Sequence, residues 1–455
     1  MRDTHSVCPV CFKKIPAKYV LKGDSVFFEK TCPEHGDFSA VIWRRDIGGW
    51  LNITKWRNDP ADNCPHQCGL CENHRQNTCC IEVELTKRCN LSCPYCLENG
   101  VAEEPSLEEL SELFKKFVAE GRTFVHLTGG EPTMREDLPE IVKAAKDAGC
   151  QYVQLNSNGV KLAEDKELVK KLADAGLSFV FLQFDGTDDE IYIKTRGEKL
   201  LDKKLKAIEN CSENNLGVSL VPTLVPGVNT HKIGGIIKFA TQHSPAVRGV
   251  HFQPVSYFGR YPKAPTDDMR FTLPELLESI GIQAGIERDC FRLSSCDHPM
   301  CGFHGDFVVM PDGLLSLTKG QPEVKESADS HSGCCCGAPI DAGESSCCCT
   351  EEKEESHDGC CCGAPSTSLP PMDAVLKNRN FVGRRWSRPT EEIDESIDVW
   401  SLEGFAQRLK THGFTITSMA FQDAYTVDTD RLRNCSLHIW ADGKIMPFCL
   451  RYILR

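Results

Sequence analysis

No run of apolar residues in this chain is long enough to span a bilayer. The opening Met1-Arg2-Asp3-Thr4-His5-Ser6 lacks the apolar core of a secretion signal. The expectation is a cytoplasmic protein whose contact with a membrane, if any, is peripheral. Positive charge is also scarce. Lys and Arg number 52 against 65 Asp and Glu, a formal net charge of -13, the reverse of the basic footprint of a nucleic-acid binder. The bulk is otherwise ordinary for a soluble globular chain, with 40% hydrophobic and 26% charged residues. A length of 455 residues allows one large domain with appendages, or two to three domains.

What the chain has in excess is cysteine, 27 residues in separate clusters. In a reducing compartment such tight spacings signal metal sites or redox chemistry more often than disulfides. An oxygen-sensitive protein from a reducing, anaerobic cell is expected. The central stretch is Cys89-Asn90-Leu91-Ser92-Cys93-Pro94-Tyr95-Cys96, a CxxxCxxC run after a strand-like segment at 81–86. Three thiolates in one loop can hold three irons of a 4Fe–4S cluster and leave the fourth iron open for a small molecule. A closed zinc site wants four protein ligands, and this loop offers three.

Other cysteines fall into sets along the chain. Residues 1–45 carry Cys8, Cys11, Cys32 and His35 around a hairpin-like stretch, the pattern of a zinc ribbon or rubredoxin-like knuckle holding one zinc or iron. So short a segment depends on its metal for much of its stability. Residues 46–80 hold Cys64, Cys68, Cys71 and Cys79, four thiolates suited to a fully ligated auxiliary 4Fe–4S cluster, with zinc as the alternative. Cys80 then points the other way and reads as a buried core thiol. Residues 256–318 lead out of the central domain and carry Cys296 and Cys301. Residues 371–455 return to ordinary composition and carry Cys435 and Cys449 around a second hairpin. These four thiols are expected to close a second auxiliary cluster. Between them, residues 319–370 contain the unit GCCCGAP twice and three cysteine triplets in all, with almost no large apolar residues. That composition reads as a disordered insertion, either a tolerated loop or a binder of soft metals or metalloids.

Residues 81–255 alternate between strands and helices. Strands are predicted at 81–86, 123–128, 151–156, 178–184, 217–224 and 248–254, and helices at 107–119, 136–148, 163–175, 199–213 and 231–243. Such α/β alternation predicts a parallel sheet with helices on its outer face, a partial (β/α)6 barrel whose ligands sit at the C-terminal strand ends. Polar signals cluster there. After the second strand comes Gly129-Gly130-Glu131-Pro132, whose glycines allow a ligand to approach the backbone and whose Glu131 can accept from an ammonium group. After the third come Asn156 and Asn158, and after the fourth Asp185-Gly186, which can also be only a turn.

The CxxxCxxC run together with Gly129-Gly130-Glu131-Pro132 resembles the radical S-adenosylmethionine superfamily. The resemblance implies that Cys89, Cys93 and Cys96 hold the cluster, that the methionyl amine and carboxylate of the cofactor chelate the open iron, and that the Gly129–Pro132 loop binds the amine. Asn156, Asn158 and Asp185 become candidates for ribose or carboxylate contacts. The Cys64–Cys79 run, the N-terminal knuckle, Cys296–Cys301 and the tail from Phe421 to Cys449 further resemble the tetraether lipid synthase and dihydropterin methyltransferase family. The GCCCGAP insertion departs from that pattern. The activity implied is reductive cleavage of S-adenosylmethionine to a 5′-deoxyadenosyl radical, followed by hydrogen abstraction from an unactivated carbon. The outcome is carbon–carbon coupling of lipid chains or methylation of a pterin, with a small-molecule or lipid substrate and a low-potential donor such as ferredoxin or flavodoxin. A lipid predicts a long apolar groove and a pterin a compact polar pocket. The competing reading is a soft-metal or metalloid binder or sensor acting through the triplets, which has no use for a Gly-Gly-Glu-Pro loop at this position.

Overall fold

The computed structural model describes residues 2–53, 64–65, 70–71, 74–96, 103–259, 261–294, 297–319, 372–389, 394, 396–441 and 443–453. Cys68, Cys296 and the three cysteine triplets lie outside the described residues.

The N-terminal strands β1 (Arg2–Val7), β2 (Lys14–Lys22), β3 (Ser25–Cys32) and β4 (Gly36–Arg44) form an antiparallel sheet in that order. Period-2 alternation buries Ala17, Tyr19, Val26 and Phe28 on one face, with Tyr19 against Trp50 of α1 (Ile47–Ile53) at 6.2 Å between ring centres.

The rest of the chain is built on one mixed sheet. Its strands are β5 (Cys80–Glu84), β6 (Phe124–Thr128), β7 (Tyr152–Ser157), β8 (Phe179–Gln183), β9 (Gly217–Val221), the two-residue β10 (Thr223–Leu224), β11 (Val247–Pro254), β12 (Arg292–Leu293), β13 (Gly302–Met310), β14 (Gly313–Ser316), β15 (Gly413–Met419), β16 (Leu437–Ala441) and β17 (Lys444–Pro447). Its helices are α2 (Leu107–Ala119), α3 (Leu138–Asp147), α4 (Val160–Glu164), α5 (Lys166–Asp174), α6 (Asp189–Arg196), α7 (Leu201–Glu213), α8 (Ile233–Gln242), α9 (Leu273–Ala284), α10 (Met372–Trp386), α11 (Leu402–Thr411), α12 (Thr429–Arg433) and α13 (Phe448–Ile453). The expected parallel run β5-β6-β7-β8-β9-β11 is present. It is longer than expected by two staves. β15 pairs parallel with β11 through Val250–Ile416, and β16 pairs parallel with β5 at the opposite edge through His438–Ile81. The helix predicted over 163–175 is two helices, because the Asp165 side chain accepts from the Leu168 N–H and restarts the chain as α5.

Alternation along the parallel strands creates two environments. Ile81, Val83, Val125, Leu127, Val153, Leu155, Val180 and Leu182 pack outward with Leu110, Phe114 and Ile141 of the helices in one core. The inward residues do not fill the interior with branched aliphatics, as a closed barrel of this type does. They line a cavity of about 390 Å³. α10 floors it at the N-terminal ends of the strands. Arg379 donates to the carbonyls of Thr78 (2.6 Å), Cys79 (2.9 Å) and Gly121 (2.7 Å), and Trp386 packs against Phe181 at 4.6 Å.

Candidate active site

The CxxxCxxC loop leaves β5 at the C-terminal end of the sheet, and Cys89, Cys93 and Cys96 all border the cavity. The Gly129–Pro132 loop is bonded to the stem of that cysteine loop. Gly130 N–H donates to Thr86 O at 2.7 Å and Glu131 N–H to Arg88 O at 2.8 Å. The two glycines are needed for this approach, and both also border the cavity. Gly129 has φ +137°, and a Cβ there would lie 2.5 Å from Thr86 O; one on Gly130 would lie 2.4 Å from Arg88 O.

Glu131 is buried with its carboxylate saturated. It accepts from Thr133 N–H (3.2 Å), Thr133 Oγ1 (2.6 Å), Ser157 Oγ (2.8 Å) and Asn158 N–H (2.6 Å). Burial pushes its carboxyl above the ordinary range against these donors. Glu131 thus ties the ends of β6 and β7 together beneath the cysteine loop, and Pro132 opens the short helical turn that presents Thr133. Asn158 Nδ2 donates to Asn90 Oδ1 at 2.7 Å and lies 4.0 Å from Cys89 Sγ. Asn156 borders the cavity and accepts from Gln154 Nε2 at 2.6 Å.

Asp185 does not face the cavity. It is fully buried, taking Arg196 Nε at 2.6 Å and Nη2 at 3.0 Å, Thr195 Oγ1 at 2.8 Å and Thr223 N–H at 2.9 Å. Burial pushes its carboxyl up, but the Arg196 charge and these donors outweigh it and hold it below the carboxylate range. The group it presents is Arg196, which borders the cavity and interacts with Cys93. Arg196 went unread in the sequence, as did Lys204. Lys204 is fully buried on α7 and donates to Gln183 Oε1 at 2.8 Å and to Asn158 O, and burial lowers its amine to about 7.

The second predicted thiol set is partly assembled. Cys301, Cys435 and Cys449 border one small cavity, with Arg431 Nη2 3.4 Å from Cys301 Sγ. Burial raises all three thiols, that of Cys449 to about 12. Of the first set, Cys64 is half-buried, Cys71 exposed and Cys79 buried at the edge of the main cavity. Cys80, expected in the core, is half-buried and borders that cavity too. In the N-terminal sheet the ligand atoms of Cys8, Cys11, Cys32 and His35 lie within 4.8 Å of one another. The edges are Cys11–Cys32 at 3.9 Å, Cys8–His35 at 3.7 Å and Cys32–His35 at 3.5 Å. A tetrahedral ion at 2.0–2.3 Å from its ligands has edges of about 3.3–3.8 Å, so this donor set fits one metal ion.

The cavity has a polar middle. Glu82, His126 and Gln154 face inward from β5, β6 and β7, and Gln183, His251 and Thr417 also line it. Among the described residues, His126 Nε2, Gln154 Oε1 and Gln183 Nε2 have no hydrogen-bond partner, and each such buried group costs about 1–3 kcal/mol if left so. The alternation in Ile81-Glu82-Val83 and Val125-His126-Leu127 carried the signal for this layer.

Residues 83–240 match the radical SAM superfamily, and residues 1–44 match the HMPTM N-terminal zinc ribbon domain. The chain is 33% identical to 7,8-dihydro-6-hydroxymethylpterin dimethyltransferase of Methanocaldococcus jannaschii, over 98% of this chain and 92% of that protein. It is 32% identical to GTP 3′,8-cyclase of Nautilia profundicola over 38% of this chain and 55% of that protein. Among solved structures, Streptococcus suis SuiB bound to precursor peptide SuiA is 13% identical, with a TM-score of 0.36 over 52% of this chain and 64% of that one.

Proposed function

Because this chain belongs to the radical S-adenosylmethionine superfamily and, within it, to the family of 7,8-dihydro-6-hydroxymethylpterin dimethyltransferase, we propose that it methylates a pterin-type heterocycle. It is a radical S-adenosylmethionine enzyme, and a 4Fe–4S cluster bound with S-adenosylmethionine would supply the one-electron chemistry that opens an unactivated C–H bond. In the proposed site Cys89, Cys93 and Cys96 hold three irons. The backbone of Gly129–Pro132 and the side chains of Asn156 and Asn158 orient the cofactor above the cavity. Glu131 acts beneath them by fixing both strand ends, and Asp185 acts by holding Arg196 beside Cys93. The barrel and the α10 floor exclude water from the radical.

The observation that carries the substrate class is the polar middle of the cavity, with unpaired buried groups on His126, Gln154 and Gln183. A flat polar heterocycle satisfies such groups, whereas an alkyl chain leaves them unpaired. Lipid coupling is therefore the weaker reading. Soft-metal storage does not account for the loop bonded under the cysteines. We further propose one zinc or iron at Cys8, Cys11, Cys32 and His35, and auxiliary clusters at Cys64, Cys68, Cys71 and Cys79 and at Cys296, Cys301, Cys435 and Cys449. These auxiliary clusters would accept electrons from a low-potential donor such as ferredoxin or flavodoxin. The enzyme is proposed to work in the cytoplasm.

The test is anaerobic. Wild-type protein reconstituted with iron and sulfide and then reduced should form 5′-deoxyadenosine from one S-adenosylmethionine and, with a second giving up its methyl and leaving as S-adenosylhomocysteine, methylate 6-hydroxymethyl-7,8-dihydropterin, as read by mass spectrometry. The Cys89→Ala/Cys93→Ala/Cys96→Ala variant should do neither. Cleavage without any methylated pterin would refute the substrate class while leaving the radical enzyme.

A further inference from the structure

The polar layer of the cavity has a definite order. Glu82 pairs in register with His126, and His126 with Gln154, so the three stand side by side on adjacent strands β5, β6 and β7. All three are more than nine-tenths buried. They lie two to three residues inside the C-terminal strand ends, roughly 7–10 Å below those ends at about 3.3 Å per residue. Glu82 Oε1 is 3.8 Å from His126 Nδ1, which is proximity rather than a hydrogen bond. Gln154 spends its amide N–H₂ on Asn156 Oδ1 at 2.6 Å and presents an unpartnered Oε1, and His126 presents an unpartnered Nε2.

The other inward glutamate on β5 is treated differently. Glu84 is fully buried and is met by Arg451 Nη2 at 3.0 Å and Tyr452 Oη at 3.2 Å from α13. Among the described residues, no arginine or lysine comes within ion-pair distance of Glu82. A buried carboxylate without a cationic partner is costly unless donors reach it, and since no described residue hydrogen-bonds Glu82, an occupant of the cavity it borders can supply them. Such an occupant must offer adjacent N–H donors to Glu82, further polar atoms to Gln154 and His126, and a flat face to Phe181 and Trp386.

We propose that Glu82, flanked by His126 and Gln154, is the specificity anchor for the 2-amino-4-oxopyrimidine edge of the substrate ring. Glu82 takes the 2-amino and ring N–H as a bidentate pair, as a carboxylate takes a guanidinium, and the ring's other edge faces the cluster loop. This rests on the pterin reading above. Glu82 is a positioning residue, not a participant in hydrogen abstraction.

The experiment uses the full reconstituted chain under anaerobic conditions. Two probes are titrated, 6-hydroxymethyl-7,8-dihydropterin and its 2-desamino analogue. Glu82→Gln keeps the shape but puts a donor against donors, so pterin binding should weaken about 100-fold, with about tenfold for Gln154→Leu. The wild type should reject the 2-desamino analogue by a similar factor, and Glu82→Gln should no longer distinguish the two probes. Glu82→Asp should restore part of the discrimination. Iron content should stay at the wild-type level in all three variants, which shows that each has folded. If Glu82→Gln binds and discriminates as the wild type does, the anchor is refuted and the pterin reading stands. If the wild type binds neither probe, both fall together.

Discussion

Lys204 shows how much of this site depends on where a single charge is allowed to be. Its amine is buried between Gln183 and Asn158 O, beneath the face of Tyr192 at 5.7 Å, and burial brings it from 10.5 to about 7. Between those two values the unfolded chain holds a proton at this position that the folded chain has released. Unfolding therefore takes up a proton, and stability must rise with pH across the window from about 7 to 10.5, by up to about 1.4 kcal/mol per pH unit from this group. Below about pH 7 the amine is charged in both states and the contribution is flat. Urea midpoints of metal-free wild type and Lys204→Met at pH 7, 8 and 9 isolate the term, because other titrating groups cancel in the difference. The wild type should gain on the variant as pH rises. A constant difference across the series would show that Lys204 stays protonated when folded.

Among the elements, α10 has the most consequence for the site although it meets the cavity at the N-terminal ends of the strands, opposite the cysteine loop. It floors the cavity through Trp386, which packs on Phe179 and Phe181 and donates from Nε1 to Thr415 Oγ1 at 2.9 Å. Trp386→Ala should cost about 3–5 kcal/mol in denaturant unfolding while the iron bound at Cys89, Cys93 and Cys96 stays constant, because those ligands sit at the other end of the strands. Loss of that iron would mean the floor supports the loop as well. The helix was only partly readable in advance, since Arg384-Arg385-Trp386 gives no sign of which strands it will meet. α2 was readable to the residue, because Ser106 and Glu109 form a capping box at its start and its apolar positions repeat at helical spacing. The hairpin of β16 and β17 was readable from its turn, but not that β16 would lie parallel to β5, a pairing set by packing more than three hundred residues away. The same limit explains Asp185, read as a ligand or a turn. Its partner Arg196 sits on α6, a short helix whose weak periodicity gave no reason to expect it. Motifs carried by consecutive residues were legible, and pairings made by the folded sheet were not.

At the scale of the whole molecule, the N-terminal sheet is fastened onto the C-terminal segment that carries Cys435 and Cys449. Thr4 Oγ1 donates to Asp428 Oδ1 at 2.6 Å, Tyr19 Oη to Asp428 Oδ2, and Lys30 Nζ to Ala424 O at 2.6 Å. Lys30 and Tyr19 lie on the strands between the two ligand pairs, so their positions depend on how the metal end of the sheet is held. Small metal-held units lose much of their fold with their ion. Cys11→Ser should therefore release one equivalent of metal and also uncover the pocket around Cys449. In protein stripped of iron and then loaded with zinc at the N-terminal site, alkylation of Cys449, slow in the wild type because its thiol is buried and raised to about 12, should accelerate in the variant by an order of magnitude or more. Cys211, also buried but on α7 in the main core, serves as the internal control and should not change. Equal acceleration at both cysteines would indicate global destabilisation. No acceleration at Cys449 would mean that the C-terminal pocket holds its shape without the N-terminal sheet, and that the contacts through Asp428 only tether the two parts.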